Sequence, residues 1–304
     1  KNQSMDIKKD EIIDALNRSG YFLESRVLEV LAKVGYKNFP NQTYPDSITQ
    51  KSREIDIYGE APRITENIRL NQSLHFEYQF RLIVECINND QPVAFFKRPD
   101  KDPHKIFGKF CFSKIERGLQ EKYLKTGVTP DFEFHTYTTE SKNFHYNTIP
   151  KNTQYCSFSQ KRGGKKEWMA SHPDALHDTF SKLLDFSEYD SSRTQEWMPK
   201  SVWKHEVFTK MIFPLLILQN DLIEVSEKDG KIEIENKKHI IFDFKKHSNS
   251  KSGFLIDVIT EDYLPEYLKL AERSVTELKN NLVEFYSKKE IIERELPKIT
   301  KKKN

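Results

Sequence analysis

One short segment restricts this 304-residue chain more than any other: Leu82-Ile83-Val84-Glu85-Cys86-Ile87. Five of its six residues are apolar. An extended chain turns successive side chains to opposite faces, so neither face of such a strand suits water. It belongs in the middle of a sheet that is covered on both sides. The exception, Glu85, then demands a reason: a carboxylate at the end of a hydrophobic strand costs several kcal/mol to desolvate unless something compensates it.

The surrounding patterns supply the covering layers. Asp6 to Asn17 reads as a short helix. A second helix is expected from an N-cap at Ser19, with Phe22, Val27, Leu28, Leu31 and Val34 at helical spacing and Gly35 as its stop. A short, interrupted strand spans Phe39 to Ile48. Arg53-Glu54-Ile55-Asp56-Ile57-Tyr58-Gly59 alternates charged and apolar residues, as a half-buried strand does. Leu74 to Asn88 forms the next strand and ends in the apolar run. Further on, Asp131 to Thr138 reads as a strand, and Glu167 to Phe186 as a helix with Met169, Leu176, Phe180, Leu183 and Leu184 inward. Ile212 to Leu218 is a core strand. Asp229-Gly230 signals a hairpin between Leu222–Val225 and Lys231–Glu235. His239 to Phe244 and Phe254 to Ile259 add strands. Tyr263 to Glu293 is a long amphipathic helix with Leu264, Tyr267, Leu268, Ala271, Val275, Leu278, Leu282 and Phe285 on one side. Together these predict an α/β chain: a core over residues 1–97, a connecting region over 98–165, and a C-terminal half over 166–304 packed on the same sheet.

The acids carry the chemistry. Glu24 lies on the early helix, Asp56 within a strand, and Glu85 near the end of the next apolar strand. Carboxylates on adjacent strands can anchor a hard divalent cation against a phosphate, because such cations choose oxygen ligands and keep several waters. The order of a helix with Glu24, then Arg-Glu-Ile-Asp56-Ile, then Ile-Val-Glu85-Cys-Ile87, resembles the core of PD-(D/E)XK nucleases, notably the branch near Mrr-type restriction enzymes. The resemblance covers roughly residues 19–97. It implies a restriction-endonuclease-like mixed central sheet flanked by helices, here with a strand-rich C-terminal extension and a long final helix. It also implies a metal-dependent nuclease acting on DNA, with Mg²⁺ or Mn²⁺ held by Asp56 and Glu85 and with Glu24 assisting from the helix. One position departs from the family: Ile87 stands where the family has lysine. Residues i and i+2 of a strand share a face, so isoleucine points where an ammonium is needed to position or deprotonate the attacking water. A lysine from elsewhere could replace it, Lys97 first and Lys51 second. Otherwise the fold is kept for binding nucleic acid or a protein partner without catalysis.

Other features compete. Asp243 and Asp257 sit in apolar strands much as Glu85 does and mark a rival site in an unrelated α/β enzyme. Lys161 to Lys166 is a glycine-hinged basic turn able to follow a phosphate backbone. Arg53 and Glu54 read as a surface pair, and Gln79 and Arg81 share the parity of Glu85. His172, His177 and His205 do not pair at i, i+4 with a glutamate, and Ser171-His172-Pro173 reads as a helix-start turn. The sequence contains no Walker-type glycine loop, GxSxG or HExxH. With 49 basic and 46 acidic residues the net charge is only +3, so any nucleic-acid surface must come from local clustering. Three separated cysteines, Cys86, Cys111 and Cys156, argue against a zinc or disulfide framework. With no apolar run of membrane-spanning length and no secretory pattern in the first residues, the expectation is a cytoplasmic protein without a membrane partner. Whether it forms a homodimer is open.

Overall fold

The computed structural model describes residues 7–46, 49–69, 73–98, 108–109, 111–117, 144–160, 167–193, 206–246 and 253–301. Two short helices open the chain, α1 (Lys9–Ser19) and α2 (Tyr21–Lys33). Five strands follow: β1 (Lys37–Pro45), β2 (Ser52–Glu60), β3 (Ile64–Arg69), β4 (Ser73–Ile87) and β5 (Val93–Lys97). Then come β6 (Gly108–Lys109), β7 (Cys111–Arg117), the single-turn α3 (His145–Thr148), β8 (Lys151–Gln160), β9 (Trp168–Ser171) and α4 (Asp174–Ser192). The remainder is β10 (Glu206–Leu218), β11 (Leu222–Lys228), β12 (Lys231–Lys237), β13 (His239–Phe244), β14 (Gly253–Thr260) and the final helix α5 (Leu264–Lys301).

All described strands join one mixed sheet, with the main order β1-β2-β4-β10-β14-β13-β8-β5-β11-β12. Its centre is parallel, β4 beside β10 beside β14. The central strands alternate between two apolar cores, as the period-two rule requires. In β10, Met211, Phe213, Leu215 and Ile217 enter one core, while Ile212, Leu216 and Leu218 enter the other. The first core lies under α2, α3 and α5 and takes Leu23, Val27, Leu31, Tyr267 and Ala271. The second lies under α4 and takes Leu176, Phe180, Leu183, Leu184 and Phe186. Each fully buried side chain of this size contributes about 1.5–3 kcal/mol. The chain is therefore α/β, with helices on both faces of a large mixed sheet and a long helix last. Among the described residues no helix is long and apolar enough to cross a membrane.

Several elements differ from their sequence patterns. Ser19 ends α1, its hydroxyl donating to the Leu16 carbonyl, and the break between helices belongs to Gly20 at φ 85, a conformation glycine adopts without steric cost. That break rotates α2 so that Leu23, Val27 and Leu31 are buried while Phe22 and Val34 are exposed. β3 pairs with β4 in a hairpin that the polar stretch after Gly59 did not signal. Glu167–Ser171 is not helical: Trp168–Ser171 pairs with β8, Met169 is exposed, and α4 begins only after Pro173. The β11–β12 hairpin turns where expected, with positive φ at both Asp229 and Gly230, the two-residue turn that suits strand twist. The expected strand at 131–138, the basic turn at 161–166 and His205 lie outside the described residues, as do the side chains of Cys111, Leu282 and Phe285.

The parallel centre sets the geography of the site. β4, β10 and β14 end together, at Ile87, Leu218 and Thr260. β2 runs antiparallel to β4, so its beginning lies at that same margin.

Candidate functional site

Asp56 sits at a fault in β2. Ile55 and Ile57 are two residues apart and would share a face in a regular strand. Instead Ile57 enters the first core with Val84, and Ile55 enters the second with Ile83. The neighbouring strand is irregular at the same level: Pro40 pairs with Ile57 and Gln42 with Ile55, while Asn41 between them has φ 53. Pairing of β2 with β4 begins only at Ile57–Val84. Beyond that point the Asp56 side chain takes over, Oδ2 accepting the Cys86 backbone N–H at 2.8 Å. The expected simple alternation is thus wrong at its most important residue. Asp56 does not lie on a solvated face; it lies in the plane of the sheet, bonded to the residue after Glu85.

Glu85 is 4% exposed and faces α4. From that helix Lys182 reaches back, its Nζ donating to both carboxylate oxygens at 2.8 and 2.7 Å. Tyr44 of β1 fastens this turn of α4 by donating to the Lys182 carbonyl at 3.3 Å. Ile87 does share the face of Glu85, packing against the second core. Lys97 is elsewhere. It ends β5, exposed, opposite Asn152 and near Glu235, and β5 stands five places from β4 in the strand order. Lys51 precedes β2 with its side chain exposed.

Glu24 approaches from the first turn of α2, half-buried. Burial raises its pKa to about 7, helped by the charges of Asp56 and Glu54 and opposed by Lys182. Glu85 is likewise raised to about 7, by burial and then by Asp56, against the ammonium of Lys182. Asp56 is raised by burial and held back by the Cys86 N–H and Lys182. These mutual effects place the three acids and Lys182 in one neighbourhood, Glu24 coming from one side of the sheet and Lys182 from the other. Burial and mutual repulsion raise all three carboxyls, Glu24 and Glu85 to about 7, a condition a cation relieves. The donors fit a hard ion, since Mg²⁺ uses one or two carboxylates and keeps its waters. Each Glu85 oxygen has a second lone pair beyond the bond to Lys182. Among the described residues, however, no three His, Cys, Asp or Glu side chains come close enough to enclose a metal.

Four other sequence candidates, Arg53, Gln79, Arg81 and Asp257, are structural. Arg53 does not pair with Glu54 but with Asp46 at 2.6 Å, and lies 3.8 Å from Asp185. Arg81 is buried, bonded to Asp190 of α4 at 2.5 Å and to Gln79 at 2.9 Å, with Lys210 donating to the Asp190 carbonyl at 2.6 Å. Burial lowers the pKa of Lys210 to about 8, against the pull of Asp190. Asp257 has no exposure and accepts from Tyr146 at 2.7 Å, Tyr267 at 2.8 Å, His239 at 2.7 Å and His145 at 3.3 Å. Burial alone would raise its pKa, but the two histidines hold it below the usual range. A carboxylate with four donors and no access is a tether between α3, β13, β14 and α5, not a catalytic group.

Sequence reasoning missed Lys182. A lysine among Phe180, Leu183 and Leu184 was a usable signal, but its link to Glu85 spans 97 residues of chain and no local pattern encodes it. No protein-family profile matches this chain, and no curated protein or solved structure is significantly similar to it.

Proposed function

We propose that the chain is a metal-dependent nuclease of restriction-endonuclease-like fold, hydrolysing phosphodiester bonds in DNA, with Lys182 taking the role that Ile87 leaves vacant. The observation that carries this reading is the double contact from the Lys182 ammonium to Glu85. A lysine beside a strand-end carboxylate, with a second acid on the adjacent strand, is the set phosphodiester hydrolysis needs, whichever element delivers the lysine.

The residues divide the work. Asp56 and Glu85 would hold Mg²⁺ or Mn²⁺, which when bound polarises a phosphate oxygen and offsets its charge. Lys182, anchored through its carbonyl by Tyr44, presents a fixed positive charge toward the charge that develops at phosphorus. Glu24, with a pKa of about 7, is suited to accept a proton from the attacking water near neutral pH. The test is cleavage of supercoiled plasmid and single-stranded DNA in Mn²⁺ by the wild type, Asp56→Asn, Glu85→Gln and Lys182→Ala. Cleavage by the wild type alone supports the reading; equal cleavage by all four removes it.

A second reading has its own support. Lys182 already bonds both oxygens of Glu85, and no three-ligand group exists among the described residues, which favours a non-catalytic module binding nucleic acid through the same fold. DNA binding in EDTA without cleavage in any divalent cation would establish that alternative.

A further inference from the structure

The two margins of the sheet are built differently. β1, at one end of the strand order, carries Pro40 and Pro45 and a positive φ at Asn41. Prolines and irregularities keep an edge from pairing with another chain. β12, at the other end, has neither. It runs regularly through seven pairs with β11, from Lys231 opposite Lys228 to Lys237 opposite Leu222, and no other described strand pairs with it. Lys231 to Asn236 are all exposed, Ile232 at 73% and Ile234 at 66%. These two isoleucines share a face. Ile234 continues a row with Val225 of β11 and Phe96 of β5, both half-buried. The only guard left on this edge is its charged residues, and their order is self-complementary.

We propose that β12 pairs with β12 of a second copy of this chain, antiparallel about a two-fold axis at Glu233, so that the two sheets become one. Backbone and side chains select the same register. The two-residue turn at Asp229-Gly230 makes Lys228 and Lys231 a hydrogen-bonded pair. The odd-numbered residues of β12 therefore direct their backbone groups to β11, and Ile232, Ile234 and Asn236 direct theirs outward. Antiparallel strands match outward-directed residues with one another. Centred on Glu233, the pairing sets Ile232 opposite Ile234 of the second copy, twice, and joins the apolar rows of both copies. It also sets Lys231 opposite Glu235, twice. Within its own hairpin each of these faces a like charge, Lys231 opposite Lys228 and Glu235 opposite Glu224, with Lys237 bonded to Glu235 at 2.5 Å. A second copy supplies each with an opposite charge. Centring on Ile234 would instead oppose Lys231 to Lys237 and Glu233 to Glu235, like charges throughout, which disfavours that register. One like-charge contact remains at the proposed axis, Glu233 against itself. Such an interface is isologous and closes at two copies. It does not depend on the nuclease reading.

The experiment is sedimentation equilibrium of the full chain over a hundredfold range of concentration, up to about 100 µM, with circular dichroism confirming that each variant is folded. The wild type should form a dimer. Ile232→Lys combined with Ile234→Lys, both at exposed positions, should weaken it at least tenfold. Lys231→Glu and Glu235→Lys should each weaken it at least threefold, and the two together should restore it. Glu233→Gln should tighten it. Under mild oxidation Glu233→Cys should give a disulfide-linked dimer above the wild-type background, because a non-hydrogen-bonded pair holds its Cα atoms about 4.5 Å apart, within disulfide reach. Asn236→Cys should not, since its two copies would stand six residues apart, about 20 Å. A monomer at every concentration would overturn the proposal. So would a dimer indifferent to the isoleucine changes, or a double charge reversal no better than either single one.

Discussion

Glu85 should make the protein less stable as pH rises through neutrality. It is almost fully buried, and its pKa is raised from 4.5 to about 7. A carboxyl with a raised folded-state pKa binds its proton more tightly folded than unfolded. Its contribution is therefore complete below about pH 4.5 and is lost as pH climbs through 7. A shift from 4.5 to about 7 corresponds to about 3 kcal/mol. Glu24 acts with the same sign over the same window, at a more exposed site where solvent screening weakens it. Urea denaturation followed by circular dichroism at pH 5, 6, 7 and 8 reads the effect. The wild type should lose stability across the series, and Glu85→Gln should remove about 2.5 kcal/mol of that loss, the part that falls between pH 5 and pH 8. Adding Mn²⁺ at pH 8 should recover stability, by about 2.7 kcal/mol at a hundredfold excess over Kd, in the wild type but not in Asp56→Asn. Parallel pH profiles for wild type and Glu85→Gln would refute the desolvation argument. A wild type indifferent to Mn²⁺ would refute the cation site while leaving that argument intact.

Three further outcomes follow from the same geometry. Lys182→Ala should reduce plasmid cleavage about 10²–10³-fold, as loss of a preorganised charge-stabilising group does; adding Ile87→Lys to it should restore at least tenfold, and no recovery would show that the strand position is not equivalent to the helix position. Glu24→Gln should flatten the rise of cleavage rate with pH through about 7, measured from pH 5.5 to 8.5, whereas an unchanged profile would assign the base elsewhere. Asp257→Ala should cost about 3–5 kcal/mol in urea, since it strands buried donors from two tyrosines and two histidines, and a loss under 1 kcal/mol would contradict its role as a tether.

The central strands were legible because burial on both faces leaves a continuous apolar run, as in β4 and β10. The hairpin at Asp229-Gly230 was legible because its turn needs positive φ twice. What failed depended on rotation or partnership. The face of α2 was misread because Gly20, not Ser19, sets the helix phase. Met169 was assigned to a helix because a four-residue strand pairing at a distance leaves no period to count. Asp257 looked like Glu85 in sequence, an acid within an apolar strand, and only the four donors supplied by distant elements separate the two.

On the proposed nuclease reading, the fault at Asp56 accounts for a lysine delivered from α4 and not from β4. In a regular β2 the Asp56 side chain would belong to one face, and a lysine serving it would need to project from that face, as a residue two after Glu85 does. Here β2 changes faces at Asp56, and the carboxylate lies in the sheet plane against the Cys86 N–H. From that position it is within electrostatic reach of Glu24 on one side and Lys182 on the other. Ile87 can then remain apolar and complete the packing of the second core, while α4, already fixed by Phe180, Leu183 and Leu184, carries the ammonium. A change that straightens the strand, such as Asn41→Val opposing its positive φ, should therefore weaken the coupling of Glu24 to Lys182 without touching either residue. Loss of the Glu24-dependent pH profile in that variant, with the fold retained, is the corresponding observable.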